Sequence, residues 1–407
     1  MKLILFANFF PCKKAEPFLL NEFKTTVNHA SAITTFTLYG QPEAADAFVK
    51  SRANCLKPVL HSASDKKQLF MKGFFNLAPV GAHLSEFFSK RIFFSPGKFY
   101  WWFVSLLVTR AVLSSSAYKE LKAYLSKNPE TVLYFYWGDN LCWMLPYLQK
   151  DLKQMQLKSV IRFHGSDLYE ELKASCAPLR SRILEIVSCA FAISDYGHTY
   201  LGKKYPQFTG KIKVSRLGVT DHGINPFNAS VKRLISVSNV VLVKRVHLIF
   251  EALQLMNDDM EWHHFGDGPL MPDLKQLTAR SRSGLRVTLH GHVDHNTLDD
   301  FLKSQSVDML INVSSSEGVP VSIMEAFSYG IPVVATAVGG TPELVNPSNG
   351  ALIGKDFAGE ELASAIAGLL NSETRIMEQM RKRARQTFEQ LCSTKNFDDF
   401  YLELKAL

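Results

Sequence analysis

Short apolar runs of strand length alternate with longer amphipathic stretches along almost the whole chain. A first series of predicted buried strands comprises Lys2–Ala7, Ile33–Leu38, Val132–Tyr136, Val160–Phe163, Ala190–Ile193 and Lys211–Ser215. A second series comprises Arg233–Val237, Glu261–Phe265, Leu285–His290, Asp308–Val313, Pro332–Ala335 and Ala351–Ile353. Helical patterns lie between the strands, as at Leu141–Leu152, Val246–Met256 and Glu361–Leu370. Such alternation indicates βαβ units, in which helices cover both faces of parallel sheets.

The two series predict an α/β protein with two domains, since 407 residues are too many for one ordinary domain. Glycine, asparagine and proline gather at Leu217–Asn228, so we expect an N-terminal domain at 1–222 and a C-terminal domain at 223–395. The last helical pattern, within 396–407, is expected to pack back on the first domain. Because ligands bind at the carboxyl ends of parallel strands, we expect two doubly wound, Rossmann-like domains that face each other across a cleft.

The charge and the cysteine content indicate which cellular compartment and which class of binding partner to expect. The formal net charge is +8, but the basic residues are scattered and no nucleic-acid-binding motif accompanies them. Phosphorylated substrates or anionic lipid are therefore the expected acidic partners. The six cysteines form no C-x-x-C pair, which predicts reduced thiols in a cytoplasmic protein and neither a disulfide framework nor a zinc site. The N-terminal apolar run is interpreted as a strand and not as a signal peptide, because Pro11 and basic residues interrupt it.

One segment, Phe99–Val108, is strongly aromatic and is flanked by Lys98 and Arg110. Its ten residues are too few to span a bilayer, which takes about 20. It is either a buried helix of the first domain or an aromatic surface that docks on a membrane interface. The sequence leaves both interpretations open.

The most informative stretch is Ser314–Val345, in which polar residues end a strand and Pro320 opens a helix. Glu317 follows the strand directly, and Glu325 lies eight residues further on, about 80° around the helix. Both carboxylates can therefore face one ligand. The first N–H groups of the helix favour phosphate and can also reach sugar hydroxyls. The residues expected to contact a ligand at this helix start are Gly318, Val319, Pro320 and Val321.

Glu317, seven intervening residues and Glu325, followed by GIPVVAT and GGTPELV, resemble the donor site of the retaining GT-B glycosyltransferases, and of family 4 in particular. The resemblance covers nearly the whole chain and is strongest over 233–345. It implies that Glu317 contacts the sugar of a nucleotide-sugar donor and belongs to the catalytic centre. It also implies that Glu325 contacts the nucleotide ribose.

The resemblance extends to the other loops of the second domain. In the family, the first loop carries Gly-Arg and a lysine whose two cations hold the donor diphosphate. This chain has Lys244, but Asn239 stands where the arginine is usual, so Arg245 is expected to compensate. Gly266 in FGDGPL matches a glycine turn of the family, and His292 in LHGHV matches the region where the nucleotide base packs.

In the first domain, His164 ends the strand in IRFHGSD and resembles the family's strand-end histidine beside the reacting anomeric carbon. We therefore expect His164 in the catalytic centre, where it positions the donor sugar. The loop after the first strand, NFFPCKKAEPF, resembles that of a subgroup used in bacterial surface-polysaccharide assembly. The residues expected to bind acceptor are Lys13, Lys14, Glu16 and Asp167.

Taken together, the resemblance implies transfer of a hexose-type sugar, with retained anomeric configuration, from a UDP- or GDP-sugar to a glycan or lipid-linked oligosaccharide. A cytoplasmic protein is expected, and nucleic acid is not an expected partner. If Phe99–Val108 is a docking surface, the positive charge and this segment favour contact with the cytoplasmic face of the inner membrane. No D-x-D sequence occurs, so we expect no metal and no other cofactor. Two alternatives stay open: a nucleotide-sugar epimerase on the same fold, and a non-catalytic sugar- or nucleotide-binding subunit with a decayed donor site.

Overall fold

The computed structural model describes residues 1–12, 16–41, 45–60, 66–75, 80–228, 230 and 232–407. These residues form two compact units. The first comprises Met1–Arg216 and Phe397–Leu407, and the second comprises Leu217–Asn396. Among the described residues, no helix combines the length and the apolar character needed to cross a bilayer.

The first unit is built on a seven-stranded parallel sheet with the order β3-β2-β1-β4-β5-β6-β7. Its strands are β1 (Lys2–Ala7), β2 (Ala32–Thr37), β3 (Asn54–Cys55), β4 (Val132–Phe135), β5 (Lys158–Phe163), β6 (Cys189–Ala192) and β7 (Ile212–Val214). Its helices are α1 (Pro17–His29), α2 (Ala47–Arg52), α3 (Lys66–Phe74), α4 (Gly81–Ser89), α5 (Pro96–Leu113), α6 (Ser116–Lys127), α7 (Leu145–Asp151), α8 (Gly165–Leu168), α9 (Arg180–Ile186) and α10 (Asp195–Lys204). Along β1, Ile4 and Phe6 enter one core and Leu3 and Leu5 another, so both faces of the sheet are covered.

The second unit repeats this design with a six-stranded parallel sheet in the order β10-β9-β8-β11-β12-β13. Its strands are β8 (Arg233–Val237), β9 (Met260–Phe265), β10 (Leu285–Gly291), β11 (Met309–Asn312), β12 (Val333–Thr336) and β13 (Gly350–Ile353). Its helices are α11 (Val246–Gln254), α12 (Met271–Thr278), α13 (His295–Ser304), α14 (Val321–Ser328), α15 (Thr341–Leu344), α16 (Gly359–Leu370) and α17 (Thr374–Thr387), and the last helix of the chain is α18 (Lys395–Lys405). In each sheet the strand order reverses beside the first strand, which creates a ligand-binding crevice at the carboxyl edge.

The predicted α/β class and parallel sheets are confirmed, and every predicted strand is present with its ends shifted by two residues at most. The prediction of one helix over Leu141–Leu152 is wrong: a 3₁₀ helix covers Asn140–Met144, and α7 begins only at Leu145. Pro146 explains the break, because proline lacks an N–H and fits the first turn of a helix. The helix predicted from Pro320 begins one residue later, with Pro320 as its N-cap.

The chain leaves the first unit at 216/217, six residues before the predicted boundary. Contacts with the end of the second unit explain the difference. The N–H of Val219 donates to Cys392 O at 2.7 Å, and the Asn396 amide donates to Leu217 O at 2.7 Å. Residues 217–222 are thereby bound to the second unit, although the turn-forming residues lie further along the chain.

Helix α18 is held in the first unit by a buried polar cluster that the sequence did not predict. Arg162 Nη1 donates to Glu22 Oε2 at 2.7 Å, and both side chains are fully buried. The hydroxyls of Tyr134 and Tyr401 donate to Glu22 Oε1 at 3.0 and 3.2 Å. The Arg162 guanidinium also lies 3.9 Å from the centre of the Phe400 ring. Because two of these aromatic residues belong to α18, the buried ion pair fixes the C-terminal helix on the sheet.

Candidate active site

The predicted residues of the second unit follow the carboxyl ends of its strands. Asn239 and Lys244 follow β8, Gly266 follows β9, His292 follows β10 and Glu317 follows β11. Parallel neighbouring strands end at the same edge of a sheet, so these residues are distributed along one edge. The reversal of strand order between β8 and β11 lies at its middle.

Lys244 and Glu317 form the centre of this edge. Lys244 Nζ lies 2.5 Å from Glu317 Oε1, with 25% and 9% of the two side chains exposed. Helix α14 begins at Val321, so the N–H groups of Val321 and Ser322 have no carbonyl partner inside the helix. The site thus combines an ammonium group and a helix N-terminus, which favour phosphate, with a carboxylate that can accept hydrogen bonds from sugar hydroxyls.

Arg245 has a different role from the one expected. Its guanidinium donates to three backbone carbonyls, those of Val313, Lys355 and Ser314, at 2.7, 2.8 and 3.2 Å. Its backbone has φ +50°, in the left-handed region that glycine adopts at low cost. Arg245 therefore joins the loop after β8 to the end of β11, and Lys244 is the cation that this loop presents beside Glu317.

Two glycines allow the loops at this edge to pack closely. A Cβ on Gly266 would lie 1.8 Å from Ser238 O, so the turns after β8 and β9 touch through their backbones. A Cβ on Gly339 would lie 1.8 Å from Glu317 O, and Gly339 has φ +53°. The glycine turn after β12 thus packs directly against the backbone of Glu317, a contact that the motif alone did not reveal.

Glu325 lies on α14, about one turn beyond its first residue, Val321. Burial raises the pKa of its carboxyl group to about 7. Oε1 lies 3.9 Å from Nδ1 of His295, the first residue of α13, and 17% of the Glu325 side chain is exposed. Burial has removed part of the water around this carboxyl group, so a ligand that donates hydrogen bonds to it would stabilise its ionised form.

At the carboxyl end of β10, the ring that packs into the site region belongs to His290 and not to the predicted His292. The His290 ring stacks on Phe265 with centroids 4.1 Å apart, and its Nε2 lies 3.0 Å from His263 Nδ1. His292 and Asn239 are exposed. Strand β10 ends at Gly291, whose φ of +69° turns the chain, so His292 lies beyond the strand and its packing.

In the first unit, His164 stands at the end of β5 and is buried under two aromatic rings. Its ring centroid lies 4.6 Å from that of Tyr136 and 4.4 Å from that of Trp137. In the described part of the chain, neither ring nitrogen of His164 has a hydrogen-bond partner. Burial and the nearby charge of Arg162 hold the pKa of His164 well below its ordinary value, so the ring is neutral. A buried imidazole without partners is unusual and suits a group that a bound ligand completes.

Asp167 positions His164. Its Oδ1 accepts the backbone N–H of His164 at 2.7 Å, and its Oδ2 accepts the N–H of Gly138 at 2.5 Å. The carboxylate thus joins the loops after β4 and β5. Burial, with the nearby Asp139 charge, raises the pKa of Asp167 to about 6. Asp167 is thus buried and bonded to the backbone next to His164, and its contact with acceptor stays a prediction.

Glu16 likewise organises a loop. Its carboxylate accepts the N–H groups of Asn8, Phe9 and Phe10 at 3.2, 2.9 and 2.6 Å and the indole N–H of Trp137 at 2.5 Å. Four donors occupy the lone-pair sites of a carboxylate. Glu16 therefore folds the loop after β1 against Trp137, beside His164. Lys13 and Lys14, the other predicted acceptor residues, lie outside the described residues.

Within the described ranges, no three histidine, cysteine, aspartate or glutamate side chains are grouped so that they could hold a metal ion. The expectation of a metal-independent site stays a prediction.

Comparison with known proteins relates the second unit to a family. Residues 220–387 match the family model described as "Glycosyl transferases group 1". Over these residues, which are less than half of the chain, the second unit is similar to the group 1 glycosyltransferases. The match contains Lys244, Glu317 and Glu325 and ends near the last residue of α17.

The curated relatives include bacterial biosynthetic proteins. The amylovoran biosynthesis glycosyltransferase AmsK of Erwinia amylovora is 24% identical over 249 residues, which are 56% of this chain and 59% of AmsK. The N-acetyl-alpha-D-glucosaminyl L-malate synthase of Bacillus anthracis is 29% identical over 169 residues, 41% of this chain and 43% of that protein. The chain spans about half the length of the curated relatives it matches.

Solved structures extend the likeness beyond residues 220–387. The structure of Anabaena Alr3699/HepE in complex with UDP matches this chain with a TM-score of 0.68 at 15% identity, and the match covers 100% of both chains. The apo form of the lipopolysaccharide outer core galactosyltransferase WaaB has a TM-score of 0.67 at 15% identity and covers 98% of both chains. Identities this low show the fold alone, and that fold is GT-B, with two Rossmann-like domains.

Proposed function

We propose that this protein is a retaining hexosyltransferase of bacterial polysaccharide biosynthesis that takes its sugar from a UDP- or GDP-sugar without the help of a metal ion. The observation that carries the proposal is the Lys244–Glu317 pair at the start of α14, within the residues that match the group 1 family model. The acceptor is a hydroxyl group of a glycan or a lipid-linked oligosaccharide. AmsK, a relative over more than half of this chain, acts in amylovoran biosynthesis by its name, and HepE was solved with UDP.

The donor fits the second unit in the following way. The diphosphate binds Lys244, which carries a full positive charge, and the free N–H groups at the start of α14, where the helix dipole places a partial positive charge. The sugar hydroxyls donate to Glu317, and the ribose hydroxyls donate to Glu325. Donor binding must therefore separate the present Lys244–Glu317 ion pair, so that each partner exchanges one ionic contact for a contact with the ligand.

The proposed transfer proceeds on one face of the sugar. The bond between the anomeric carbon and the β-phosphate oxygen breaks as the acceptor oxygen forms its bond on the same side, and the acceptor proton passes to the departing phosphate oxygen. Lys244 stabilises the charge that develops on the diphosphate. The neutral ring of His164 accepts or donates a hydrogen bond to the donor sugar and holds its orientation, in keeping with its unpaired ring nitrogens.

A thermal-shift panel of UDP- and GDP-sugars, with and without EDTA, tests the donor site. We expect one of them to stabilise the protein, equally in EDTA, and we expect Glu325→Ala to abolish the effect. NMR of the product with a glycan acceptor then reports the anomeric configuration. Stabilisation that disappears in EDTA would refute metal independence, and an inverted product would refute the retaining mechanism.

One observation favours a second candidate, a non-catalytic subunit with a decayed donor site. Arg245 is committed to backbone carbonyls and Asn239 carries no charge, so the loop after β8 presents one cation where relatives have two. Isothermal titration with UDP and GDP separates the candidates. A functional donor site binds one of the two nucleotides, whereas a decayed site binds neither.

A further inference from the structure

The first unit carries a patch of exposed apolar side chains on α4, α5 and the 3₁₀ helix Ile92–Phe94 between them. Six large side chains are between 43% and 74% exposed, whereas isolated apolar residues at a protein surface need no explanation. We call them the aromatic surface: Leu84, Phe88, Phe93, Phe94, Phe99 and Tyr100.

Ring contacts show that most of this aromatic surface is continuous. The half-buried ring of Phe87 lies at its centre, with centroid distances of 5.4 Å to Phe88, 5.8 Å to Phe93 and 6.4 Å to Phe99. Phe93 and Phe94 lie 4.3 Å apart. The exposed rings therefore form one cluster and not a scatter of independent side chains.

The aromatic surface rests on a rigid base. Trp102 lies 4.7 Å from Phe87, and its indole N–H donates to His83 O at 3.0 Å. The Glu86 carboxylate accepts the N–H of Leu179 through both oxygens, at 2.9 and 3.0 Å, which binds α4 to the start of α9. Such support holds the rings outward, so their exposure is built into the fold.

Cations outnumber carboxylates at the margin of the aromatic surface, where Lys90, Lys98 and Lys204 line one cavity with Glu170. Between residues 81 and 103 the sequence contains Lys90, Arg91 and Lys98 but one carboxylate, Glu86. That carboxylate is buried and pairs with Lys90 at 2.7 Å. Arg91 is exposed at the turn that leads into the 3₁₀ helix, and Lys98 lies in the first turn of α5. Exposed aromatic rings with cations at their margin match the chemistry of a membrane interface, in which rings enter the headgroup region and cations meet anionic lipid.

We propose that the aromatic surface docks the protein on an anionic lipid bilayer. A second copy of this chain fits the surface less well, because a two-fold contact would set the same cations against each other. Within the segment Phe99–Val108, Phe99 and Tyr100 are exposed, whereas Trp102 and Ser105–Val108 are buried. The segment is therefore part of both the surface and the core. This inference stands independently of the proposed transferase activity.

A series of contacts leads from Trp101, which follows Tyr100 of the aromatic surface, to the loop that holds His164. Lys173 Nζ lies 5.4 Å from the ring centre of Trp101, next to Tyr100, and pairs with Asp139 at 2.7 Å. Asp139 follows Gly138, which shares the Asp167 carboxylate with the backbone of His164. Docking through this surface therefore brings the carboxyl edge of the first sheet close to the membrane, where a lipid-linked acceptor would be found.

Vesicle co-sedimentation tests the docking proposal with the full chain. Vesicles made of equal parts of phosphatidylglycerol and phosphatidylcholine should bind the protein, and vesicles of phosphatidylcholine alone should bind it much less. Arg91→Gln and Lys98→Gln should each weaken binding about fivefold. The double variant Phe88→Ser/Phe94→Ser should weaken it about tenfold or more.

The matched control removes exposed apolar side chains from the second unit. Ile224 and Leu255 are 74% and 53% exposed, and the double variant Ile224→Ser/Leu255→Ser should bind vesicles as the unmodified chain does. Brominated lipid should quench tryptophan fluorescence, and Trp101→Phe should remove most of the quenching because Trp101 lies beside the surface. Absence of binding to the anionic vesicles would overturn the proposal, as would equal loss in the control. A dimer that the Phe88→Ser/Phe94→Ser change dissociates would assign the surface to a second copy and also overturn it.

Discussion

Replacing Glu325 by glutamine should stabilise the second unit at alkaline pH. Burial raises the pKa of the Glu325 carboxyl group from 4.5 to about 7, which corresponds to about 3 kcal/mol. Because 17% of the side chain is exposed and water can reach it, we expect about 1–3 kcal/mol in practice.

The sign of the pH dependence follows from the raised pKa. Below pH 4.5 the carboxyl group is protonated in the folded and the unfolded chain, and it adds no pH dependence. As pH rises from 4.5 to 7, the unfolded chain ionises first, so the free energy of unfolding falls; above about pH 8 the loss is complete. Glutamine cannot ionise and should keep that stability at every pH.

Thermal melts of the unmodified chain and of Glu325→Gln between pH 4 and pH 9 measure this difference. For a domain of this size, 1 kcal/mol moves the midpoint by about 2–4 °C. The variant should melt higher at pH 8.5 and nearly together with the unmodified chain at pH 4.5. An exposed glutamate of the same unit provides the control, since Glu378→Gln should change stability by less than about 0.5 kcal/mol. A difference between Glu325→Gln and the unmodified chain that does not vary with pH would refute the raised pKa.

The same titration should appear in donor binding. If the ribose hydroxyls donate to Glu325, the ionised carboxylate is the binding form, and it makes up roughly a tenth of the protein at pH 6 and nine tenths at pH 8. Affinity for the nucleotide should therefore rise by about tenfold over this range. Glu325→Gln supplies the baseline, because any remaining pH dependence in that variant belongs to the nucleotide phosphate. Parallel pH profiles for the two proteins would remove Glu325 from the ribose site.

Three other substitutions test the site and the fold. Lys244→Gln should lower nucleotide affinity by about tenfold or more, because a charge-assisted hydrogen bond contributes about 1.5–3 kcal/mol. Calorimetry measures this affinity, with Lys382→Gln, at an exposed lysine, as the control. Equal affinities in the two variants would exclude Lys244 from the phosphate site. Glu16→Ala should lower the free energy of unfolding by about 2–4 kcal/mol, because three backbone N–H groups and an indole N–H lose their acceptor; a change below about 1 kcal/mol in chemical denaturation would contradict the loop role. Arg162→Met should lower the free energy of unfolding by about 3–5 kcal/mol, because it leaves the Glu22 carboxylate buried without its cation. The double variant Arg162→Met/Glu22→Gln should recover much of that stability. Melting temperatures that fall equally in both variants would refute the argument.

The sequence was sufficient for the strands and for the edge on which the site is built. Apolar runs located each predicted strand to within two residues, because a strand buried on both faces must be apolar along its length. Glu317 could be found because it directly follows such a run and precedes a proline that opens a helix. Neither the short strand β3 nor the 3₁₀ helix Asn140–Met144 before α7 was predictable, because elements of two to five residues carry no periodic pattern.

Roles that depend on contacts between distant residues were decided by the tertiary structure. Arg245, Glu16 and Asp167 are polar residues in promising loops, and each was predicted to meet a ligand. In the folded chain each one bonds to loop backbone groups, those of its own loop for Glu16 and those of another loop for Arg245 and Asp167, since buried N–H and C=O groups must find partners. Their sequence signals are the same for either role.

The sequence by itself determined two parallel sheets, the order of loops along their carboxyl edges and the charges available there, because these depend on local periodicity and on residue type. The tertiary structure alone decided that Lys244 meets Glu317, that Gly339 supports the backbone behind it, and that burial raises the pKa of Glu325. It also decided which part of the aromatic segment faces solvent. Distances between residues far apart in the chain, and the water each side chain loses, are set by packing, and no local pattern records them.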